Sequence, residues 1–316
     1  MITSVTLNAA ADFTYIVPDF RKNETNRVEK VFKEPGGKGI NAAKVLHTLG
    51  IPVTAAGFAG GENGRFIIDS LTKQAIPTHF TEIGEESRAC HAIADSECKT
   101  PGLHTELLEK GPSVSQEEWG RFLRMDLPDL AAKSDYVLFS GSLPSGLTEE
   151  AYADAAQAAA EKGPKIILDT GGRALEFGIQ AKPFLIKPNL NELEELLGKR
   201  FDLNRLSELA SDLKLICNRG PQAIAVTLGS RGSILYQNGT ALYAEAPVVR
   251  AVNPTGSGDA FLAGMTAALY RGSGWEEALK SGTAAGAANA MEWTAGKIKV
   301  ENYTFLQSVV KVYKID

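Results

Sequence analysis

Residues 254–259, with the sequence PTGSGD, combine types and spacing that could carry out chemistry. Two glycines let the backbone turn tightly, so the N–H groups of Gly256, Ser257 and Gly258 could converge on one anion. An apolar helical pattern follows, and its positive end would face the same anion. Asp259 would repel a phosphate, but it is suited to accept a proton from an attacking hydroxyl. The alternative is an ordinary helix start, where aspartate is common.

A second candidate is KPNLNE at positions 187–192, which follows the apolar run of a predicted strand. Open α/β sheets bind ligands at the carboxyl ends of their strands. Lys187 could neutralise the phosphates of ATP, and Asn189 with Glu192 could offer oxygen ligands to hydrated Mg²⁺. The alternative is that Asn189 caps a solvated acidic helix.

A third candidate is GGKGINAA at positions 36–43. It matches a relaxed dinucleotide fingerprint, but no glycine follows the first predicted strand, where that fingerprint belongs, so we do not expect NAD. Lys38 within the run could bind a substrate phosphate. No Gly-Lys pair has the spacing of a Walker A loop, and the four histidines lack the spacing of metal ligands.

These candidates require a sheet that brings strand ends together. Apolar runs alternate with helical patterns, which predicts an α/β fold with a doubly wound, mainly parallel sheet and helices on both faces. One helix is expected from Ser115 to Lys133 and another from Thr148 to Gly163. Asn238-Gly239 predicts a hairpin. The predicted strands are Thr3–Leu7, Val53–Phe58, Tyr136–Ser140, Ile166–Asp169, Leu185–Lys187, Ile224–Leu228 and Val248–Val252.

Two segments interrupt the alternation. Residues 12–35 and about 86–112 contain β patterns with no helix between them, so we place them together as a small antiparallel sheet, or lid. No internal repeat or linker is visible. We therefore expect residues 1–316 to form a single domain with a discontinuous lid.

Composition limits the function classes. The 316 residues carry a net charge of −5 with 44% hydrophobic and 22% charged residues, which argues against a nucleic-acid-binding surface. The chain has three cysteines, Cys90, Cys98 and Cys217, and this odd number argues against a disulfide framework and is typical of a reducing compartment. No signal-like or membrane-length apolar segment is present. We expect a cytoplasmic protein with no membrane partner.

Together, the three motifs resemble the signatures of the pfkB family of carbohydrate kinases, which has the ribokinase-like fold. The resemblance extends over essentially the whole chain. Lys38 and the sequence NPTGSGD at positions 253–259 are similar to the hexose-phosphate branch, which contains tagatose-6-phosphate kinase and 1-phosphofructokinase. Val28 and residues 104–112 look closer to the tagatose member.

The resemblance implies a role for each matching residue. Asp259 would be the catalytic base, and Gly256, Ser257 and Gly258 would form the anion hole. The sugar hydroxyls would be held by Asp12, Gly37 and Asn41, and the phosphate already on the sugar by Arg27, Lys38 and Arg88. The ATP phosphates and Mg²⁺ would be bound by Lys187, Asn189 and Glu192. The nucleotide pocket would be lined by Thr227, Gly229, Gly232 and Asn289.

The expected reaction is the ATP- and Mg²⁺-dependent phosphorylation of a ketohexose monophosphate to a 1,6-bisphosphate. The first expected substrate is tagatose 6-phosphate, and fructose 1-phosphate is the alternative. A catalytically silent sugar-phosphate sensor on the same fold is a more distant alternative, as is a nucleoside kinase. The resemblance also implies a homodimer formed through the lid.

Overall fold

The computed structural model describes residues 1–95 and 104–315. Cys98 and the part of the predicted lid at 96–103 lie outside the described residues. The main sheet has ten strands in the spatial order β14-β13-β12-β11-β10-β9-β8-β1-β4-β5. Its strands are β1 Ile2–Thr6, β4 Val53–Ala59, β5 Thr78–Glu82, β8 Tyr136–Ser140, β9 Lys165–Asp169, β10 Leu185–Ile186, β11 Ala223–Thr227, β12 Ser233–Gln237, β13 Thr240–Ala244 and β14 Val312–Ile315.

The strands from β5 to β11 pair in parallel, which confirms the predicted α/β class. The predicted hairpin is also confirmed, with β12 and β13 antiparallel around Asn238 and Gly239, both at positive φ. The expected strand at Val248–Val252 is wrong, because this segment has no partner strand and runs irregularly with Val248 fully exposed. β-branched residues favour a strand, but only pairing forms one.

Helices cover both faces of the main sheet. One face is covered by α1 Lys38–Thr48, α2 Gly61–Lys73, α9 Ser257–Tyr270, α10 Trp275–Ala290 and α11 Val300–Val309. The other is covered by α3 Gln116–Arg121, α4 Leu127–Ala131, α5 Ala151–Ala160, α6 Gly172–Gln180, α7 Leu190–Leu197 and α8 Leu206–Cys217. None of the helices among the described residues has the length and apolar character to cross a bilayer.

Local sequence explains several helix boundaries. The predicted capping box at Ser115 is present, with reciprocal bonds between Ser115 and Glu118. This helix continues through a π-helical turn at Phe122–Asp126 into α4. The helix expected from Thr148 begins three residues later, at Ala151.

The lid is a separate four-stranded sheet in the order β3-β2-β6-β7. Its strands are β2 Ala10–Val17, β3 Lys30–Gly36, β6 Arg88–Asp95 and β7 His104–Leu108. The outer pairs are antiparallel as predicted, but the central pair, β2 with β6, is parallel. The chain leaves β3 through α1, β4, α2 and β5 before it returns to the lid, and this long connection permits parallel pairing.

Candidate active site

Helix α9 begins at the predicted anion-binding turn. Gly256 is its N-cap and has φ +81°, a conformation that glycine adopts without strain. A Cβ at this position would lie 2.7 Å from the Cβ of Ala295, so there is no room for a side chain. The amide of Ser257 donates to the Pro254 carbonyl at 3.1 Å, which shapes the turn. A Cβ on Gly258 would lie 3.5 Å from the Nζ of Lys187, so an ammonium group borders this turn.

The Asp259 carboxyl lies in the first turn of α9 and is only 6% exposed. Its Oδ2 accepts a hydrogen bond of 2.9 Å from Nδ2 of Asn41 on α1. Burial raises the pKa of Asp259 to about 6; Asp169 acts in the same direction, whereas Lys38 and Asn41 oppose the rise. A carboxyl with this pKa is mostly ionised at neutral pH and is a better proton acceptor than an ordinary aspartate.

Two lysines and two carboxylates form a charge cluster beside Asp259. Lys38 Nζ lies 3.2 Å from Oδ1 of Asp169 and 3.3 Å from Oε1 of Glu192. Lys187 Nζ lies 3.2 Å from the same Asp169 oxygen, and both of these side chains are almost fully buried. The charge of Asp169 raises the pKa of Lys38, so its ammonium stays charged. Two lysine side chains are therefore held beside the Asp259 carboxyl, an arrangement that could balance the charge of an anionic group.

Two cavities meet at this cluster. The smaller, of about 290 Å³, lies under the lid and its lining includes Asp12, Gly37, Lys38, Asn41, Lys44, Arg88 and Asp259. The larger, of about 770 Å³, lies over the carboxyl ends of the strands and its lining includes Lys38, Lys187, Asn189, Thr227, Gly229, Gly232, Gly258 and Asp259. Lys38 and Asp259 line both cavities. A group bound in one cavity can therefore face a group bound in the other across the Asp259 carboxylate.

A third cavity, of about 450 Å³, adjoins the lid side of the site and is lined by Arg88, Lys110, Ser142 and Ser145 among other residues. Arg88 borders this cavity and the one under the lid. Its guanidinium donates to the carbonyl oxygen of Asn8 at 3.3 Å, which fixes its position. Arg88 is thus the side chain that connects the two spaces.

The structure brings most of the predicted sugar-site residues together but not Arg27. That residue is exposed in the irregular segment between β2 and β3 and is not among the residues that line these three cavities. The family resemblance implied Arg27 as a contact to the phosphate of the sugar, but within one chain it lies on the connection from Val17 to Lys30, away from these linings.

The predicted nucleotide-side residues Lys187, Asn189, Thr227, Gly229 and Gly232 all line the larger cavity. Asn189 also caps α7, since its side chain accepts from the amide of Glu192 while Glu192 accepts from the amide of Asn189. The helix-cap interpretation of this motif is therefore confirmed as a structural fact. A further role of these two side chains toward a metal ion has to be compatible with the cap.

Asn289 does not line the nucleotide cavity, contrary to the prediction. It is fully buried on α10 and its Nδ2 donates to the carbonyl of Thr255 at 2.9 Å. Its Oδ1 accepts from the amides of Gly296 at 2.9 Å and Lys297 at 3.3 Å. Helix α10 is largely buried, so the amide of Asn289 finds its hydrogen-bond partners inside the protein. Asn289 therefore ties the turn before α9 to the segment after α10.

Sequence reasoning missed two residues of this site, Asp169 and Lys44. Asp169 ends the apolar strand β9, and a carboxylate at the end of a buried parallel strand is the signal that could have identified it. Lys44 follows Lys38 and Asn41 at intervals of three residues along α1, which places all three along one side of the helix. Both missed side chains are buried.

The donor set near Glu192 is compatible with a hard divalent cation. Oδ2 of Asp169 is buried and has no hydrogen-bond partner among the described residues, whereas its Oδ1 faces two ammonium groups. An oxygen atom without a partner at a polar strand end fits an oxygen-bound ion or its water shell. No group of three or more His, Cys, Asp or Glu residues forms a metal cluster in the described ranges. Protein ligands would thus supply only part of the coordination, as is usual for Mg²⁺.

The two described cysteines, Cys90 and Cys217, carry free thiols. Burial raises the pKa of each to about 11, so neither is a reactive thiolate at neutral pH. These two residues agree with the expectation that the cysteines form no disulfide framework.

Known proteins share the sequence pattern and the fold of this chain. A family model described as pfkB family carbohydrate kinase matches residues 3–296. A Staphylococcus aureus protein assigned as a phosphofructokinase is 31% identical, with a TM-score of 0.84 and coverage of 100% of this chain and 99% of the other. A Thermotoga maritima protein assigned as a 1-phosphofructokinase is 26% identical, with a TM-score of 0.88 and full coverage of both chains (100% and 100%).

Two further structures bear on assembly and fold. The tetrameric inhibited form of Escherichia coli phosphofructokinase-2 is 25% identical, with a TM-score of 0.85 and coverage of 96% and 98%. Arabidopsis thaliana ribokinase, complexed with ribose and ATP, is 21% identical with a TM-score of 0.75 and coverage of 97% and 98%. At that identity the likeness shows the fold alone, which is ribokinase-like.

Proposed function

Because this chain belongs to the pfkB family of carbohydrate kinases, we propose that it transfers the γ-phosphoryl group of ATP to a ketohexose monophosphate. One observation carries the proposal: Asp259 and Lys38 line both the cavity under the lid and the cavity over the strand ends. An acceptor hydroxyl and a phosphoryl donor held in these two spaces meet at one carboxylate. Positioning of this kind supplies much of the catalysis of phosphoryl transfer.

In the proposed reaction, Asp259 accepts the proton of the free primary hydroxyl. The hydroxyl oxygen forms a bond to the γ-phosphorus, and the bond from that phosphorus to the β,γ-bridging oxygen breaks. Its electron pair leaves with ADP, so the products are the sugar bisphosphate, ADP and a proton. The hydrogen bond from Asn41 orients the Asp259 carboxylate for this step.

The negative charge of the transferring group is balanced by the turn and the lysines. The amides of Gly256 and Gly258 and the positive end of α9 would face the phosphoryl oxygens. Ser257 contributes to this anion hole by holding the turn, since its amide is bonded to Pro254. Lys187 is adjacent to Gly258, and Lys38 lies between the two cavities. We therefore assign Lys38 to the transferring phosphoryl group rather than to the phosphate already on the sugar.

Mg²⁺ would be held by Glu192 and Asp169 through its water shell, with Asn189 beside them. When bound, it neutralises charge on the donor phosphates and favours their in-line geometry. Asp169 also holds both lysines at 3.2 Å from one of its oxygens, so it orients the cations of the site in its own right.

On the acceptor side, Asp12, Gly37 and Asn41 would bind the sugar hydroxyls. The phosphate of the sugar would lie toward the third cavity, where Arg88 is joined by Lys110 and Ser142. A ketohexose monophosphate is long enough to place a phosphate at one end and a hydroxyl at the other. We propose tagatose 6-phosphate as the first candidate substrate, on the basis of the residues at 104–112.

Fructose 1-phosphate is the second candidate, supported by the full-length likeness to the Thermotoga maritima protein assigned as a 1-phosphofructokinase. Both substrates give a 1,6-bisphosphate. The deciding experiment compares kcat/KM for tagatose 6-phosphate, fructose 1-phosphate and fructose 6-phosphate in an ADP-release assay with Mg-ATP. A clear preference for one of the first two supports the proposal; no turnover by folded protein that binds ATP contradicts it.

We further propose that a second copy of the chain covers the outer face of the lid. That face carries stacked rings, with the Phe13 and His91 centroids 5.1 Å apart, and the exposed side chains of Val31 and Leu107. Light scattering of the wild type and Leu107→Glu tests this: a dimer that dissociates in the variant supports it, and a wild-type monomer contradicts it. We also propose that the enzyme is cytoplasmic, because its proposed substrates are ATP and a small sugar phosphate.

A further inference from the structure

Asp12 and Glu34 lie directly opposite each other on neighbouring lid strands and both line the cavity under the lid. A Cβ on Gly36, two residues along β3, would overlap the Asp12 carboxylate, so this side chain leans across the edge of β3. Like charges that face each other across an antiparallel pair destabilise it. Two carboxylates in this arrangement need a cation close by if both are to remain ionised.

Lys44 supplies that cation from outside the lid. Its Nζ lies 3.8 Å from Oε2 of Glu34, and the side chain is only 7% exposed. Lys44 also acts on Asp12, where it is the largest of the charges that oppose the effect of burial. A lysine so deeply buried loses much of its hydration, and burial lowers its pKa. Burial of this ammonium therefore costs folding free energy unless the nearby carboxylates are charged.

The same ammonium reaches the loop behind the anion-binding turn. Lys44 Nζ donates to the carbonyl oxygen of Ala295 at 2.9 Å. Ala295 in turn packs against Gly256, and the neighbouring Gly296 amide is held by Asn289. One side chain thus contacts a lid strand and the loop that supports the start of α9. The ammonium donates a hydrogen bond to the loop and forms an ion pair with the lid.

We propose that Lys44 is a positioning residue of the acceptor site: it keeps the facing carboxylates of Asp12 and Glu34 charged and in place as acceptors for sugar hydroxyls, and it joins the lid to the Ala295 loop. This inference rests on the proposed function, because it takes the cavity under the lid as the sugar site. It assigns a role to a residue that touches no reacting atom.

Five charged groups face Asp12 and influence its pKa. They are Lys44 on α1, Arg88 on β6, Glu106 on β7, Asp259 on α9 and, across the strand pair, Glu34 on β3. The pKa of Asp12 is raised by burial to about 6. Removal of the Lys44 charge raises this pKa further, so a larger fraction of Asp12 is protonated near neutral pH and fewer molecules carry the charged acceptor.

The test compares Lys44→Gln, Lys44→Arg and the exposed control Lys73→Gln in the ADP-release assay. Glutamine removes the charge but can still donate to the Ala295 carbonyl. We expect Lys44→Gln to raise KM for the sugar phosphate by about 10-fold or more, to change KM for ATP by less than about twofold, and to move the acid limb of kcat/KM for the sugar to higher pH. Lys44→Arg should restore most of the wild-type values.

An unchanged sugar KM and an unmoved acid limb in folded Lys44→Gln would overturn the inference while leaving the proposed function intact. A wild type that turns over no ketohexose monophosphate overturns the proposed function instead. Should Lys44→Gln not fold, Glu34→Gln tests the arrangement. Asp12 then loses its like-charged neighbour and keeps Lys44, so its pKa falls and the acid limb of kcat/KM moves to lower pH. A limb that stays in place contradicts the inference that Asp12 and Glu34 are both charged beside Lys44.

Discussion

Asn41 on α1 donates a 2.9 Å hydrogen bond to Asp259 on α9, across 218 positions of the chain. The donor opposes the effect of burial on the Asp259 carboxyl. The helix that begins at the glycine run therefore favours the ionised form of the proposed base at the start of another helix. This contact also explains why the glycine run and the PTGSGD turn belong to one site.

Replacement of Asn41 by alanine should move the activity profile along the pH axis. The pKa of Asp259 is about 6 in the wild type, and the base must be ionised, so kcat should rise with pH through about 6. Without the Asn41 donor the pKa rises, and the limb moves to higher pH. At saturating sugar phosphate, the kcat lost at pH 6.5 should then be largely regained at pH 8.5. A profile that falls equally at every pH would contradict this role.

Asp259→Asn should remove the proton acceptor and leave the fold in place. General-base catalysis contributes roughly 10² to 10⁴ in rate, so kcat should fall by at least that factor while ATP binding persists. Calorimetry with ATP and the circular dichroism spectrum check folding and binding. Asp129→Asn, at an exposed position of α4, is the matched control and should retain full activity. Comparable turnover in the two variants would exclude Asp259 as the base.

Arg88→Gln should weaken binding of the sugar phosphate more than that of the nucleotide. The guanidinium connects the cavity under the lid with the third cavity, and a charged contact to a phosphate is typically worth about 1.5–3 kcal/mol. We expect KM for the sugar phosphate to rise by roughly 10- to 100-fold. Arg65→Gln, on the exposed side of α2, should leave KM unchanged. Equal effects on the ATP and sugar KM values would count against the assignment.

Asn289→Ala should lower both stability and kcat. The substitution removes the partner of the buried Gly296 amide and of two half-buried groups, the Lys297 amide and the Thr255 carbonyl. An unsatisfied buried group costs about 1–3 kcal/mol, and the half-buried groups cost less because water can reach them. The urea midpoint should fall, and kcat should fall further than stability alone explains, because the Thr255 carbonyl belongs to the catalytic turn. Asn289→Asp retains the acceptor for the Gly296 amide and should be intermediate. A kcat equal to wild type at a temperature where Asn289→Ala is folded would refute this effect.

The sequence predicted the parts of the site that follow strand ends. The chemistry of Lys187 and Asn189 could be inferred because both follow an apolar strand, and parallel strands bring their carboxyl ends to one edge. Asp259 was identified from the glycine turn and the helix start instead, since the strand expected before it is absent. The arrangement of Asp12 opposite Glu34 could not be inferred, because it depends on the register between two lid strands. One residue of slip would turn either side chain to the other face.

Long-range placement explains where expectation and structure differ. The family resemblance implied that Arg27 contacts the sugar phosphate, but the course of the connection from Val17 to Lys30 cannot be deduced from residue types. The same resemblance implied that Asn289 lines the nucleotide pocket, and only the packing of α10 against α9 shows that this side chain is fully buried. The strand expected at Val248–Val252 failed because strand formation needs a free sheet edge as well as β-branched residues.

The parallel pairing of β2 with β6 implies an order of assembly for the chain. The partners are separated by β3, α1, β4, α2 and β5, so their pairing is a contact between residues far apart in sequence, which is slow to form. The main sheet must bring the two lid segments together before they can pair. We expect the lid to form after β1, β4 and β5 and to exchange its amide hydrogens sooner than they do. All of these elements precede residue 110, whereas the larger cavity is lined mainly by residues 187–290, so a nascent chain can form its lid before that cavity exists.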